Sequence, residues 1–309
     1  MLTTIERAAI DGHRQSGNAV PPAQKDTDEA AIYLGIRLLM EAGQLVRESR
    51  ATAAKAGVTI KEDGSPATNI EEQIESRLRK WILSLDSEVV VVGEETGGTL
   101  PANGTAIAID PIDGTRAFLA ETETYSTTLA LIRDRKTILG LVSNPATGEI
   151  AYATATGDSR LIRLALFGEP DEAYTLGAPA SQESPLLVNV HPSRNAHNVV
   201  NALYGAWERG DIAMVRSPGG SPAWALVEAA RGHFVYANLW SSRAAEAFDL
   251  AAGNLIVQRA GGAVNDLDGK PIDALRHSGP FVAGLDAGKV ARLAELLRAG
   301  MGSKRSSSS

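Results

Sequence analysis

The sequence predicts a protein of the α/β (α+β) class, in which helical and strand patterns alternate along a chain of 309 residues. Apolar residues recur at helical spacing from Ala30 to about Thr52. Short apolar runs of strand length, Val89 to Val92 and Ala106 to Ile109, are followed closely by acidic residues. In the second half, an apolar helix from Ala245 to Ala260 is closed by a pair of glycines, which suits a helix C-terminus.

The other elements are predicted from the same signals in chain order. Asn69 can cap a second helix that begins after the turn signal Asp63-Gly64-Ser65-Pro66. Strands are predicted over 126–132 and 137–143, joined by the polar turn 133–136. In the second half we predict strands over 186–190, 234–237, 263–265 and 281–283, and helices over 195–208, 222–230 and 290–299.

A shift in composition near residue 180 is the best internal boundary. We therefore expect a loose N-terminal arm over 1–28, an N-terminal α+β half over 29–180, a C-terminal α/β half over 181–301 and a disordered tail over 302–309. The N-terminal half would carry most of the candidate metal ligands. The C-terminal half would carry Asp249 and the loops on the substrate side.

Composition limits the function. The net charge is -7 and the sequence pI is near 5.4, which argues against nucleic acid as the main partner. The chain has no cysteine, so disulfides and thiolate zinc sites are excluded. No apolar run reaches the roughly twenty residues of a membrane span, and the N-terminus lacks the apolar core of a secretory signal. We therefore expect a soluble cytoplasmic protein with no membrane partner.

The most informative segment is Asp110-Pro111-Ile112-Asp113-Gly114-Thr115, which follows the apolar run 106–109. Two carboxylates three residues apart at the end of a buried strand repel each other unless a cation lies between them. Mg²⁺ takes oxygen ligands, usually one or two carboxylates together with substrate phosphate oxygens. If a helix begins after Thr115, its free amides add an anion site. Metal and phosphate would then share one corner, which is the arrangement of a metal-assisted phosphoryl hydrolase.

Three other acidic positions lie near the ends of predicted elements. Glu71 is in the first turn of the second helix, Glu94 follows the strand 89–92, and Asp249 is in the apolar helix. Each has an ordinary structural explanation: a capping-region acid for Glu71, a solvated loop for Glu94 and a charge near a helix N-terminus for Asp249. Their order and spacing together favour one shared site.

Together these residues resemble the inositol monophosphatase family of Mg²⁺-dependent, lithium-sensitive phosphatases. The resemblance runs from the helix at Ala30 to the strand at Phe281. Its motifs are Gly93-Glu94-Glu95, the segment 110–118 and the segment 248–253, with support from 63–68 and 260–262. It implies a layered αβαβα sandwich of the inositol monophosphatase / fructose-1,6-bisphosphatase type, with the site between the two halves.

The resemblance also implies a set of metal ligands. Glu94, Asp110 and the backbone carbonyl of Ile112 would hold a first Mg²⁺. Asp110, Asp113 and Asp249 would hold a second ion, with Asp110 bridging the two. A third, weaker ion could lie near Glu94 with mostly water ligands.

Phosphate binding and water activation are assigned in the same way. The amides of Gly114 and Thr115 would receive the phosphate. The Thr115 hydroxyl, with the acid at position 71, would orient and deprotonate the attacking water. The family usually has Asp where this chain has Glu71, so the carboxylate stands one methylene farther out. Trp commonly precedes the last metal Asp, and here that position is Phe248.

Substrate contacts are expected on the loops of the second half. Inositol-specific members place a Glu seven residues before the last metal Asp, where this chain has Ser242. Two of the candidates could equally form a surface ion pair of little energetic weight, namely Arg243 and Glu246. The full set of candidates is Arg216, Gly220, Ser221, Asn238, Arg243 and Glu246.

We therefore predict a Mg²⁺-dependent phosphomonoesterase that hydrolyses a small polyol or sugar phosphate by attack of a metal-activated water. Histidinol phosphate and a 3′(2′),5′-bisphosphate nucleotide are rival substrates, because related families share this metal site. A weakly active homologue that serves as a binding or regulatory protein is the alternative of another class. Many members of the family are homodimers, so the resemblance points to a homodimer here as well.

Overall fold

The computed structural model describes residues 1–16, 27–53, 58–60, 66–165, 170–177, 185–191, 197–217, 219–239 and 247–302, with backbone alone at 16, 51–53, 58–60 and 66–68. The helices in these ranges are α1 (Thr4–Ser16), α2 (Asp28–Ala53), α3 (Asn69–Leu85), α4 (Thr115–Leu119), α5 (His197–Glu208), α6 (Pro222–Ala230), α7 (Ala247–Arg259) and α8 (Ala287–Gly302). The strands are β1 (Val58–Ile60), β2 (Pro66–Thr68), β3 (Val90–Gly93), β4 (Thr105–Asp113), β5 (Ser126–Arg133), β6 (Lys136–Asn144), β7 (Glu149–Thr154), β8 (Arg160–Arg163), β9 (Glu172–Thr175), β10 (Leu187–His191), β11 (Met214–Arg216), β12 (Val235–Asn238), β13 (Ala263–Asp266) and β14 (Phe281–Gly284).

The larger sheet follows chain order from β3 to β9. β3 and β4 pair in parallel, and the later neighbours pair antiparallel. The turn from β5 to β6 is tight because Asp134 and Arg135 adopt positive φ angles of 48° and 61°, as a two-residue hairpin turn requires. On the opposite face from α1 and α2, β6 approaches α7 closely. A Cβ on Gly140 would lie 2.7 Å from the Ala252 Cα, so only glycine permits this approach.

The smaller sheet has the strand order β11-β10-β12-β14-β13. β10 pairs in parallel with β11 and β12, while β14 pairs antiparallel with β12 and β13. Its inner face supplies Tyr236 and Phe281 to a core shared with Leu226 of α6 and Ile256 of α7. Its outer face packs against α5 and α8, where Leu293 is fully buried. Helices α6 and α7 therefore lie between the two sheets.

Five layers result: α1, α2 and α3; the larger sheet; α6 and α7; the smaller sheet; and α5 with α8. The predicted αβαβα sandwich is confirmed. Among the individual elements, the prediction of a helix over 222–230 agrees with α6 at both ends. Within the described ranges no helix is long and apolar enough to cross a lipid bilayer.

The prediction of a loose arm over 1–28 is wrong for residues 4–16, which form α1. Ala9 and Ile10 of this helix are buried against α2. Glu6 is fully buried and accepts hydrogen bonds from Arg160 Nε at 2.6 Å and from the Tyr152 hydroxyl at 2.8 Å. These partners lie about 150 residues away in sequence, so the local pattern of polar residues does not reveal them.

Two further differences concern the larger sheet and the chain end. β7, β8 and β9 extend the sheet where the local pattern predicts no strand. β7 pairs with β6, β8 with β7 and β9 with β8, so each of these short strands gains its order from the strand before it. Helix α8 continues to Gly302, where the predicted tail begins, and residues 303–309 lie outside the described ranges. The two sheets draw on residues 90–175 and 187–284, and the domain boundary near 180 stays a prediction.

Candidate active site

A bulge in β4 sets the geometry of the Asp110 segment. Asp110 pairs with Thr128 and Asp113 pairs with Ser126, so two residues of β4 lie opposite the single residue Thr127 of β5. In a regular strand, side chains three residues apart point to opposite faces. The extra residue restores the same face, so both carboxylates point toward one place. The motif spacing of three is therefore tied to the bulge.

Hydrogen bonds satisfy the backbone of the bulge. Thr127 Oγ1 donates to the Pro111 carbonyl oxygen at 2.8 Å, and the Ile112 amide donates to Asp110 Oδ1 at 2.9 Å. Thr128 Oγ1 donates to the Phe248 carbonyl oxygen at 2.8 Å, which fixes the start of α7 next to β5. The only signal for these contacts in the sequence is the run of polar residues 126–128 within a buried strand.

Four carboxylates meet at this place: Glu94 after β3, Asp110 and Asp113 on β4, and Asp249 in the first turn of α7. Burial first, and then the negative charges of Glu94, Asp113 and Asp249, raise the pKa of Asp110 well above its ordinary value. Burial also raises the pKa of Asp113 to about 7, although two hydrogen bonds oppose the shift. The four side chains therefore carry a strong mutual repulsion that a cation would relieve.

Ser221 holds Asp113 in place. Its hydroxyl donates to Asp113 Oδ2, and the amide of Ala223 donates to the same oxygen at 2.9 Å. The Ser221 oxygen also accepts the Trp224 amide at 2.8 Å as the N-cap of α6, and lies 2.8 Å from Ser126 Oγ. The described side-chain contacts of Ser221 are with the site carboxylate, the end of α6 and Ser126, and its role as a substrate contact stays a prediction.

Gly114 and Thr115 connect β4 to the short helix α4. Gly114 has a φ of 92°, and a Cβ at this position would lie 2.8 Å from the Ser221 amide nitrogen, so glycine is required for both reasons. Thr115 Oγ1 donates to Glu71 Oε1 at 2.7 Å. Glu71 is almost fully buried. The longer Glu side chain therefore reaches the Thr115 hydroxyl from α3.

The structure also assigns a place to Glu75, a residue that the sequence analysis missed. Glu75 is fully buried on α3, one turn after Glu71, and its carboxylate accepts the amides of Glu95 at 2.8 Å and Thr96 at 2.9 Å. A sequence signal existed, since Glu75 lies on the apolar face of the predicted helix beside Ile74. A charged residue on such a face requires polar partners.

Of the remaining predicted substrate contacts, the structure describes Arg216, Gly220 and Asn238. Arg216 forms an ion pair with Glu228 and stacks on the Phe234 ring, with its guanidinium carbon 3.8 Å from the ring centroid. Gly220 packs against Thr124, where a Cβ would lie 2.0 Å from the Thr124 carbonyl oxygen. Asn238 is fully buried at the end of β12. Arg243, Glu246 and the supporting residue Asp63 lie outside the described ranges.

The donor set fits a hard divalent cation. All of its side-chain donors are carboxylate oxygens, and Asp110, Asp113 and Asp249 are each at most 7% exposed. Among the described residues no three acidic or histidine side chains form a ready-made metal cage. One oxygen of Asp113 is engaged by Ser221 and Ala223.

The chain is similar in sequence to a known family and to several of its members. A family profile described as "Inositol monophosphatase family" matches residues 28–299. A "Histidinol-phosphatase" of Mycobacterium tuberculosis is 27% identical over 260 residues, which cover 82% of this chain and 92% of the relative. An "Inositol-1-monophosphatase" of Rhizobium meliloti is 24% identical over 249 residues, which cover 79% of this chain and 89% of the relative. A "Nus factor SuhB" of Vibrio cholerae is 25% identical over 240 residues, covering 77% and 85%.

Solved structures share the fold. The extragenic suppressor protein suhB from Bartonella henselae aligns with a TM-score of 0.73 and 19% identity, over 88% of this chain and 99% of that one. The inositol monophosphate bound SaIMPase-II of Staphylococcus aureus aligns with a TM-score of 0.64 and 19% identity, over 89% and 96%. Because the family profile covers most of the chain, the predicted resemblance is confirmed, and the chain belongs to the inositol monophosphatase family of phosphoric monoester hydrolases.

Proposed function

We propose that this chain is a Mg²⁺-dependent phosphatase that hydrolyses the phosphate monoester of a small polyol or sugar. The observation that carries the proposal is the pairing of the Thr115 hydroxyl with the buried Glu71, directly after the motif that ends in Asp113. A hydroxyl polarised by a carboxylate, two residues after a cluster of repelling carboxylates, suits hydrolysis of a charged ester. The packing of an apolar core does not require such a pairing of hydroxyl and carboxylate.

The metal ligands in this proposal are Glu94, Asp110 and the carbonyl of Ile112 for one ion, and Asp110, Asp113 and Asp249 for a second. A third, weaker ion would lie near Glu94. Mg²⁺ at such a site supplies positive charge that neutralises phosphoryl oxygens and makes a nearby water easier to deprotonate. The raised pKa of Asp110 supports this assignment, because a divalent cation offsets the repulsion that raises it.

Water activation would depend on Glu71 and Thr115. Thr115 uses its only hydroxyl proton in the bond to Glu71 Oε1, so its oxygen is left to accept a proton from water. An attacking water held there would point a lone pair away from Thr115. As the water attacks, a proton can pass to the Thr115 oxygen while the hydroxyl proton moves to Glu71. This places the base role on Glu71 and the orienting role on Thr115.

Phosphate would be received by the backbone at Gly114 and Thr115. The left-handed conformation of Gly114 turns the chain from β4 into α4, and successive amides at such a turn can form an anion-binding concavity. Because α4 has only five residues, individual N–H donors contribute here and a long helix dipole does not. With charge spread over the phosphoryl oxygens, positioning and electrostatics would supply most of the catalysis.

The identity of the leaving group is the finer part of the proposal. A polyol phosphate is favoured by the family, and by an inositol-1-monophosphatase among the relatives. Histidinol phosphate is the second candidate, because the Mycobacterium tuberculosis relative that matches 82% of this chain is named a histidinol-phosphatase. A 3′(2′),5′-bisphosphate nucleotide is the third, since a relative with that activity in its name matches 31% of the chain.

The test is phosphate release from a panel of esters at saturating Mg²⁺. The panel contains inositol 1-phosphate, histidinol phosphate, 3′-phosphoadenosine 5′-phosphate, fructose 1,6-bisphosphate and NADP. We expect the highest kcat/KM for inositol 1-phosphate or another sugar phosphate. A higher kcat/KM for histidinol phosphate or the nucleotide would replace the polyol as substrate while keeping the chemistry.

The alternative of a binding or regulatory homologue is tested by the same panel. Relatives named Nus factor SuhB give it a specific basis. We favour the enzyme, because a pure binding module gains nothing from carboxylates that repel one another without a metal. Release from no ester, with Mg²⁺ binding retained, would favour the alternative. A cytoplasmic location stays a prediction from composition, and a homodimer stays a prediction from the resemblance.

A further inference from the structure

Glu75 forms an unusual set of contacts for a helical side chain. It is fully buried in α3, and its two oxygens accept hydrogen bonds from the backbone amides of Glu95 and Thr96 and from the Thr96 hydroxyl. A carboxylate that accepts several N–H and O–H bonds is held rigidly, because each charge-assisted bond is stronger than a neutral one. The loop that it holds follows directly on Glu94, one of the proposed metal ligands.

Gly93 lies on the other side of the same carboxylate. A Cβ at this position would lie 1.9 Å from Glu75 Oε1, which no side chain can tolerate. Gly93 also forms a two-way backbone bridge with Gly97, with both N–O distances at 3.1 Å. The loop 93–97 is therefore closed on itself and wrapped around the Glu75 carboxylate. Glycine is required at position 93 because of this close contact, and not because of a left-handed backbone conformation.

Arg79, one turn farther along α3, completes the attachment. Its guanidinium donates to the Val91 carbonyl at 2.9 Å, to the Gly97 carbonyl at 3.0 Å and to Thr96 Oγ1 at 3.0 Å, and lies 3.9 Å from Glu75. The loop therefore contacts α3 through both a buried acid and a half-exposed base. These contacts leave little freedom to the backbone on either side of Glu94.

Helix α3 presents Glu71 and Glu75 from the same face, because residues four apart lie one above the other on a helix. Glu71 reaches the Thr115 hydroxyl, and Glu75 reaches the loop of Glu94. The proposed water-activating group and the proposed metal ligand are thus set by one rigid element. We propose that Glu75 is a positioning residue, which fixes the Glu94 carboxylate in the geometry that binds Mg²⁺ and keeps it in register with Glu71.

This inference rests on the proposed function, since it gives Glu94 a metal to bind. A merely structural role for Glu75 makes a different prediction. Loss of a structural contact would lower the thermal stability of the metal-free protein and leave the Mg²⁺ affinity of the folded molecules unchanged. Loss of a positioning contact lowers the Mg²⁺ affinity itself. Outer groups that orient metal ligands typically contribute about 10- to 100-fold in affinity.

The experiment measures Mg²⁺ binding to the full chain by titration calorimetry, without substrate, for the wild type and Glu75→Gln. The amide keeps the shape of the side chain but turns one acceptor into a donor that faces a backbone N–H. We expect the dissociation constant for Mg²⁺ to rise about tenfold or more. Turnover should then recover at high Mg²⁺, with little change in KM for the ester. The matched control is Glu72→Gln on the exposed side of α3, which removes the same charge and should bind Mg²⁺ like the wild type.

The outcomes separate the two claims. Wild-type affinity in Glu75→Gln overturns the role of Glu75 and leaves the proposed function standing. A wild type that binds no Mg²⁺ overturns the proposed function itself. If Glu75→Gln does not fold, Thr96→Val tests the same contact at an exposed position, because it removes the hydroxyl bond to Glu75 and keeps the amide bond. We expect a weaker Mg²⁺ affinity there too, and an unchanged affinity overturns the inference.

Discussion

Replacing Ser221 with alanine should destabilise the metal-free protein substantially, because one buried hydroxyl serves three partners. The hydroxyl donates to Asp113 Oδ2, accepts the Trp224 amide at 2.8 Å and lies 2.8 Å from Ser126 Oγ. Loss of an N-cap costs about 1 kcal/mol. Loss of a hydrogen bond to a charged group costs about 1.5–3 kcal/mol. The sum is a decrease of about 2.5–4 kcal/mol in the free energy of unfolding.

The assay is urea unfolding in the presence of a chelator, followed by circular dichroism, for the wild type, Ser221→Ala and Ser217→Ala. Ser217 is exposed on the same loop, so its removal should change the free energy of unfolding by less than about 0.5 kcal/mol. With Mg²⁺ present the deficit of Ser221→Ala should persist, because the N-cap is lost in either state. A Ser221→Ala variant as stable as Ser217→Ala would refute the reasoning that Ser221 holds Asp113 and caps α6.

Three other predictions follow from the site and the core. Thr115→Val should lower kcat by about 100-fold or more, measured by phosphate release, while Mg²⁺ affinity stays within about twofold, because the hydroxyl acts on water and not on the metal. Because folding raises the pKa of Asp113 from 3.8 to about 7, the folded metal-free protein holds a proton that the unfolded chain has lost in this range. Its unfolding free energy should therefore fall as the pH rises from about 4 to 7. Calorimetry should show that Mg²⁺ binds more tightly over the same pH range. An unfolding free energy and a Mg²⁺ affinity that do not change with pH would contradict this prediction. Glu6→Gln should lower the unfolding free energy by about 2–3 kcal/mol, because the buried side chain loses its charge-assisted bonds to Arg160. Limited proteolysis should then show cleavage within residues 1–16, because α1 is less firmly attached.

The core of the site could be predicted from the sequence because its chemistry is local. Asp110, Asp113, Gly114 and Thr115 lie within six residues, and their order alone indicates a metal and a phosphate. The bulge that places both aspartates on one face is not visible in the sequence. It depends on pairing with β5, which lies more than ten residues farther along the chain. The motif therefore predicts the chemistry, and the pairing of β4 with β5 supplies the geometry.

The supporting residues could not be predicted because their partners are distant. Ser221 is 108 residues from Asp113, and the pattern around it predicts a substrate loop. Glu75 is 20 residues from the Glu95 amide that it binds. The same holds for α1, where the buried Glu6 has its partner at Arg160, 154 residues away. Ser221 and Glu6 look like surface residues in a local pattern, and only tertiary structure shows that they are buried. Glu75 differs, because its place on the apolar face of the predicted helix indicates burial, although its partners are not evident from the sequence.

The departure at Glu71 is resolved in part by the structure. The sequence raises the question whether a Glu, one methylene longer than the usual Asp, can reach the water-activating position. The distance of 2.7 Å from its Oε1 to the Thr115 hydroxyl is that of an ordinary hydrogen bond. Glu71→Asp should therefore weaken this contact in the present chain, although Asp is the usual family residue.

The central claim is that the carboxylates of the β4 motif bind Mg²⁺ for the hydrolysis of a phosphate ester. Its most direct test is the rate of phosphate release from inositol 1-phosphate as Mg²⁺ is titrated, for the wild type, Asp110→Asn and the surface control Asp268→Asn. We predict saturable Mg²⁺-dependent release in the wild type and in Asp268→Asn, and its loss in Asp110→Asn at every Mg²⁺ concentration. Release that does not depend on Mg²⁺, or that survives in Asp110→Asn at the wild-type rate, would contradict the account.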